Sequence, residues 1–129
     1  MIENFELKIV RLKTGEDVIG FVYIDTKTNA LHLRFPKTFY MNYDIEYEEE
    51  MILVDWLPQA AFYSQDISFS ADNILFTTYP NVEFGYEYLK SIIESIDPES
   101  DIYEKINKTL NAIKEEEEEM VPDGSYTVH

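Results

Sequence analysis

Apolar and polar residues alternate through much of the first 80 positions of the chain. Phe5, Leu7 and Ile9 alternate with Glu6 and Lys8, which is the period of a half-buried strand. Similar alternation, or short runs rich in β-branched and aromatic residues, predicts five strands in all, at residues 5–12, 18–24, 30–34 (resuming through 39–43), 51–57 and 74–78. The run at 51–57 is almost continuously apolar, which favours burial on both faces or a subunit contact.

The apolar period lengthens after residue 82. From Phe84 to Ile96 an apolar residue recurs at every fourth position, which predicts an amphipathic helix. Asp97 then suits the N-cap of a second helix, and Pro98 suits its first helical position. The stripe of this second helix is formed by Tyr103, Ile106, Leu110 and Ile113. The pattern therefore predicts a β-rich domain over residues 1–82, a helical extension over 83–114 and an acidic, mobile tail over 115–129.

The charge of the chain is strongly acidic and unevenly distributed. Ten Lys and Arg residues stand against 26 Asp and Glu residues, a formal net charge of −16 over 129 residues. Residues 1–40 have a net charge of +1, whereas residues 41–129 have a net charge of −17. This balance excludes a general nucleic-acid-coating protein, because neutralising phosphates requires basic side chains. Hydrophobic residues make up 45% of the chain, too many for a disordered acidic polypeptide.

Candidate chemistry is sparse. The chain has no cysteine, which excludes disulfides, a thiolate nucleophile and cysteine-based zinc sites. His32 lies in a predicted strand without a nucleophile elbow, and Asp55, beside Trp56, suits an interface better than a general acid. The acidic residues 44–50 lack the spacing and the glycine of a calcium-binding loop. We therefore expect a protein that is not an enzyme, with no catalytic residue, metal site or cofactor.

Targeting signals are also missing from the sequence. It contains no apolar run of about 18 residues, the minimum for a membrane-spanning helix. Its first residues do not form a signal peptide. We therefore expect a cytoplasmic protein with no membrane partner.

The turns between the first three strands carry the most specific pattern in the chain. Gly15, Gly20, Asp25 and Asn29 occur within residues 12–31. This segment resembles the first motif of the Sm/LSm family, with its strand-turn-strand glycines and its Asp-x-x-x-Asn turn. The resemblance implies a small, five-stranded, strongly bent β-barrel, here followed by one or two C-terminal α-helices. It also implies a homo-oligomeric ring of roughly five to seven subunits, in which the edge strands of neighbouring copies pair.

The resemblance assigns single-stranded RNA binding to Asp25, Thr28 and Asn29. Asn29 would bond a base edge, and Asp25 would hold Asn29 in place. Thr28 stands where the family usually has a bulky residue that stacks on the base, and such stacking contributes about 1–3 kcal/mol per base. The family's second motif contains Arg-Gly, whereas residues 38–88 include neither Arg nor Lys. Asp and Asn also favour turns through bonds to their own backbone.

Two functions follow from these observations. The first is a non-catalytic Sm-like interaction or scaffold module, whose partners are its own copies in a ring and another protein. The alternative is a single-stranded RNA-binding ring that uses the turn at Asp25 and Asn29.

Overall fold

The computed structural model describes residues 4–43, 49–58, 61 and 64–120, with the backbone alone at residues 49 and 115–120. The acidic loop predicted at 44–50 falls largely outside these residues, as does the end of the predicted tail, 121–129. Internal contacts divide the chain into two compact units, Met1–Pro80 and Asn81–His129. The first unit is built from strands and the second from helices, so the prediction of a mainly β fold with C-terminal helices is confirmed.

An antiparallel sheet forms the first unit. Its strands in the described residues are β1 (Glu6–Leu12), β2 (Asp17–Asp25), β3 (Ala30–Tyr43), β4 (Glu49–Asp55), β5 (Asp66–Ser70) and β6 (Ile74–Thr78). Their order is β4-β3-β2-β1-β6, and β5 pairs with the first half of β3. Among the described residues β4 and β6 do not pair with each other, so the path does not close into a barrel.

The sixth strand corrects the predicted count of five. β5 lies between the predicted strands at 51–57 and 74–78, where the sequence pattern predicted no strand. It has the alternation of a half-buried strand, since Ile67 and Phe69 are half-buried while Ser68 is exposed. Five residues give a weak periodic signal. Pairing with β3, which no local pattern specifies, makes this segment a strand.

A register shift between β2 and β3 bends the sheet. At Gly20 the pairing of β2 with β3 shifts register between Ile19 and Phe21. On the other side of this shift, Phe35 has a φ of +53°, a left-handed conformation that is rare for a bulky residue. β3 nevertheless continues through Pro36 to Tyr43, so the predicted interruption at Pro36 is a bend within one strand of 14 residues.

The sheet unit has one cluster of buried apolar residues: Val10, Leu12, Val18, Val22, Leu31 and Leu33. Ile19 and Phe21 in β2 are buried as well. Trp56, Ile67, Phe69 and Ile74 pack against this cluster and remain partly exposed. Met51 and Val54 in β4 are exposed. The prediction that residues 51–57 are buried on both faces is therefore wrong for the single chain. The alternative, that these residues form a subunit contact, remains a prediction.

The second unit consists of two helices, α1 (Val82–Ile93) and α2 (Asp101–Met120). Asn81 caps α1 by accepting a hydrogen bond from the backbone N–H of Phe84. The predicted start of the second helix at Asp97 and Pro98 is wrong. Asp97 instead accepts the N–H of Glu99 in a turn, and Ser100 caps α2 by accepting the N–H of Tyr103.

Burial in the helices follows their apolar stripes. The most buried side chains are those of Tyr88, Leu89, Ile92, Ile102 and Ile106. α2 runs through the acidic residues 115–119 as far as Met120. Within the described part of the chain, neither helix has a segment with the length, hydropathy and low charge of a bilayer-spanning helix.

Candidate functional site

The β2–β3 turn holds the three residues predicted to bind RNA. The Asp25 carboxylate accepts the backbone N–H of Lys27 at 3.0 Å, which is the hydrogen bond of an Asx turn. Asn29 closes the turn with a φ of +55°, a conformation that asparagine tolerates better than most residues. Thr28 is exposed. Asp25 therefore shapes the turn and contacts the backbone of Lys27.

The side chain of Asn29 is held from a distant part of the chain. Its amide Nδ2 donates to Oδ1 of Asp72 at 2.9 Å, and the backbone carbonyl of Asn29 accepts the N–H of Ala71 at 2.9 Å. Asp72 and Ala71 belong to a 3-10 turn, Ala71–Asn73, which Ser70 caps by accepting the N–H of Asp72. Sequence analysis missed Asp72. The short run Ser70, Asp72 and Asn73 was its only signal, because such residues favour turns.

This network ties two loops of the sheet together. It places two carboxylates, those of Asp25 and Asp72, around the turn that contains Asn29. Carboxylates repel a phosphate backbone, whose binding depends on basic side chains. The contacts described here give the turn a structural role, and RNA binding by Asp25, Thr28 and Asn29 stays a prediction.

The two ends of the sheet path are edges. β6 pairs with β1 on one side, and β4 pairs with β3 on one side. Among the described residues no strand lies on their other sides. Unpaired backbone N–H and C=O groups along such an edge are a template for another strand.

Exposed apolar side chains accompany both edges. On β6 and just after it, Leu75 is 61% exposed, Phe76 45% and Tyr79 63%. The other edge carries exposed Met51 and Val54 in β4, next to exposed Tyr40 and Tyr43 in β3. Exposed apolar residues grouped along a sheet edge are typical of a protein contact, whereas single exposed ones need no explanation.

The charges beside β6 are balanced. Arg11 forms a bidentate pair with Asp17, both distances being 2.7 Å, and this hydrogen bonding raises the pKa of Arg11. The hydroxyl of Tyr79 donates to Glu6 at 2.7 Å, which raises the pKa of Tyr79. Lys8 lies 5.0 Å from the centre of the Tyr79 ring, a cation–π contact. In a chain with a net charge of −16, this edge therefore does not repel an acidic partner.

The β4 edge is more acidic. Asp55 is an exposed carboxylate 3.4 Å from Lys37, and Glu50 is exposed without an ion pair in the part of the chain that the structure describes. The acidic β4 edge of one copy could therefore pair with the charge-balanced β6 edge of another without strong repulsion. Two copies of the acidic edge would repel.

His32 lies outside these edges, in a polar cavity of about 420 Å³. Its Nδ1 is 2.7 Å from Oγ of Ser68, and its ring stacks on Tyr23 at 5.7 Å between ring centres. Arg34 pairs with Asp66 beside it at 3.3 Å. These are cross-strand contacts between β3 and its neighbours, and they fix the register of β5 against β3.

Comparison of the sequence with protein-family models gives no match, and comparison with curated proteins gives none either. The resemblance to the Sm/LSm family therefore depends on residues 12–31 alone.

Proposed function

We propose that the sheet unit is an Sm-like subunit of a homo-oligomeric ring and serves as a non-catalytic interaction or scaffold module. The observation that carries this proposal is the pair of open edges, β4 and β6, each bordered by exposed apolar side chains. Pairing of these edges between copies would continue the antiparallel sheet and give each edge backbone partners that the described residues do not supply.

The contact we propose is head-to-tail. β4 and β6 are different surfaces, so β4 of one copy pairs with β6 of the next. Such a contact closes into a ring when the rotation between copies allows it, and otherwise gives a filament. The charges support β4–β6 pairing over β4–β4 pairing, because Glu50 and Asp55 would face their own copies in the latter.

The Sm-like assignment has two supports. The first is that Gly15 has a positive φ in the β1–β2 turn and that Gly20 lies at the register shift of β2, so both glycines occupy positions that favour glycine. The strand order also suits a bent sheet whose first strand reaches its last, because β1 pairs with β6. Ring formation by roughly five to seven copies follows from this assignment.

The test is the native mass of the full chain by light scattering at micromolar concentration. We expect roughly five to seven times the chain mass of 15.2 kDa. Leu75→Glu places a charge among the apolar residues of β6 and should reduce the mass to that of one chain. The matched control is Val82→Glu, an exposed apolar position that is 57% exposed and lies at the start of α1. This variant should keep the wild-type mass.

Three outcomes would contradict the proposal. A wild-type chain that remains a monomer refutes the ring. An unchanged mass for Leu75→Glu excludes the β6 edge. Where Leu75→Glu does not fold, as judged by circular dichroism, Val54→Glu on the β4 edge replaces it and must dissociate the ring in the same way.

A further inference from the structure

A second cavity opens at the end of the sheet where the β1–β2 turn meets the residue after β4. Its volume is about 300 Å³. Its lining includes the apolar residues Leu12, Ile67 and Phe69, the indole of Trp56, and the polar residues Lys13, Glu16 and Asn73. Trp56, Ile67 and Phe69 are the residues that pack on the core yet stay partly exposed. The cavity is therefore an open end of the core.

The aromatic walls of this cavity are held in place. The indole Nε1 of Trp56 donates to Oε2 of Glu16 at 3.0 Å, while Oε1 of Glu16 accepts from Thr14 at 3.2 Å. The ring of Trp56 meets that of Phe69 edge-to-face, with 6.4 Å between ring centres. Both oxygens of Glu16 thus have donors, and two rings are oriented before a ligand arrives. Such preorganisation reduces the entropy lost on binding.

Lys13 adds one positive charge to the lining. The backbone N–H of Lys13 donates to the carbonyl of Asn73 at 2.9 Å, which fixes the chain of Lys13 beside the opening. The ammonium group of Lys13 forms no ion pair within the described ranges, unlike Lys8, Lys37, Lys90 and Lys108. A lysine without an ion pair in the lining of a mostly apolar cavity favours a ligand with an anionic oxygen next to an apolar group.

We propose that this cavity binds small aromatic carboxylates. The aromatic ring of the ligand packs against Trp56 and Phe69, and its carboxylate faces Lys13. A volume of about 300 Å³ lies at the small end of ligand cavities, which suits a ligand with a single ring. A cationic amine is a poorer ligand for this cavity. The carboxylate of Glu16 already accepts hydrogen bonds from Trp56 and Thr14, and the charge of Lys13 would repel an ammonium group.

The experiment uses phenylacetate and the fluorescence of Trp56, which is the only tryptophan in the chain. The indole N–H signal in a ¹⁵N-labelled sample gives a second readout of the same residue. We expect a saturable change at a dissociation constant of roughly 0.1–10 mM, as for a ligand of this size. Benzylamine, measured at the same ionic strength, should give no saturable change.

Two lysine variants separate a specific site from general charge effects. Lys13→Gln should weaken phenylacetate binding by roughly threefold to tenfold. Lys27→Gln removes the same charge from the β2–β3 turn and should leave the binding unchanged. The proposal is overturned if phenylacetate does not saturate by roughly 20 mM, if benzylamine binds equally well, or if the two variants behave alike. None of these outcomes depends on the oligomeric state, so failure here is distinct from failure of the ring.

Discussion

Replacing Gly20 with alanine should destabilise the sheet unit, because the bend in β2 leaves no room for a side chain there. A Cβ added at Gly20 would lie 2.9 Å from Cδ1 of Leu33, 3.0 Å from the carbonyl oxygen of Arg34 and 3.4 Å from Cα of Pro36. Real Cβ atoms essentially never approach another heavy atom within 3.0 Å. Either the buried side chain of Leu33 or the backbone of one of the two strands, β2 and β3, must therefore shift.

The expected loss can be worked out from these contacts. Leu33 is 1% exposed and belongs to the core, and the Arg34 oxygen is part of the backbone. Neither can yield easily, and overpacking of this kind costs about 1–3 kcal/mol. Alanine returns about 0.4–1 kcal/mol by restricting the unfolded chain. We expect a net loss of about 1–2 kcal/mol in the free energy of unfolding.

Urea unfolding followed by the emission of Trp56 measures this loss in the sheet unit directly. With a slope of about 2 kcal/mol per molar urea, the middle of the usual range, the midpoint should fall by roughly 0.5–1 M. All samples need one protein concentration, because association makes stability concentration-dependent. Gly15→Ala is the control for backbone effects. Its Cβ would meet nothing within 4 Å, so any loss there comes from its φ of +97°.

A double-mutant cycle tests the steric reasoning. Leu33→Val removes the Cδ1 atom that the new Cβ would meet, so it should cost less in the Gly20→Ala background than in the wild type. Strict additivity of the two substitutions would refute the clash. A Gly20→Ala protein as stable as the wild type would refute the whole argument.

Two further predictions concern the helical unit, with unfolding followed by far-UV circular dichroism. Asn81→Ala removes the oxygen that accepts the N–H of Phe84 at 2.8 Å, so it should destabilise α1 by about 0.5–2 kcal/mol. Asn81→Ser keeps a capping oxygen and should lose much less; equal losses would contradict the capping role. Burial raises the pKa of Tyr88 well above its ordinary value of 10.0. Above pH 10 the unfolded chain therefore releases this proton while the folded chain keeps it, and the free energy of unfolding should fall by about 1.4 kcal/mol per pH unit. Tyr88→Phe should lose this contribution to the slope, and an identical slope in the variant would show that Tyr88 is not its source.

Local sequence patterns were sufficient to predict those strands and helices whose apolar residues recur at a regular period. The alternation through Leu7 and Ile9 predicted β1, and the four-residue period from Phe84 predicted α1. The helix start at Ser100 shows the limit of the same reasoning. Asp97-Pro98 and Ser100 both carry start signals, and the choice between them depends on which turn the chain makes.

The candidate site required contacts across the chain. Asn29 could be identified as a turn residue from sequence, but its partner Asp72 lies 43 positions away. The cavity at Trp56 likewise combines residues from the β1–β2 turn, the end of β4 and β5. The sequence pattern does not predict these contacts, because they depend on which strands pair and where the sheet bends.

Four features could be predicted from the sequence alone: a strand-rich first part, turns that contain glycine, an amphipathic helical second part and a strongly acidic charge. Each of them depends only on short-range periodicity or on composition. Tertiary structure decided the sixth strand, the unbroken β3, the hydrogen bond between Asn29 and Asp72, and the absence, within the described ranges, of a second partner for β4 and for β6. The physical reason is that strand pairing joins backbone groups from distant positions. A segment becomes an edge, a central strand or a loop only when its neighbours in space are set.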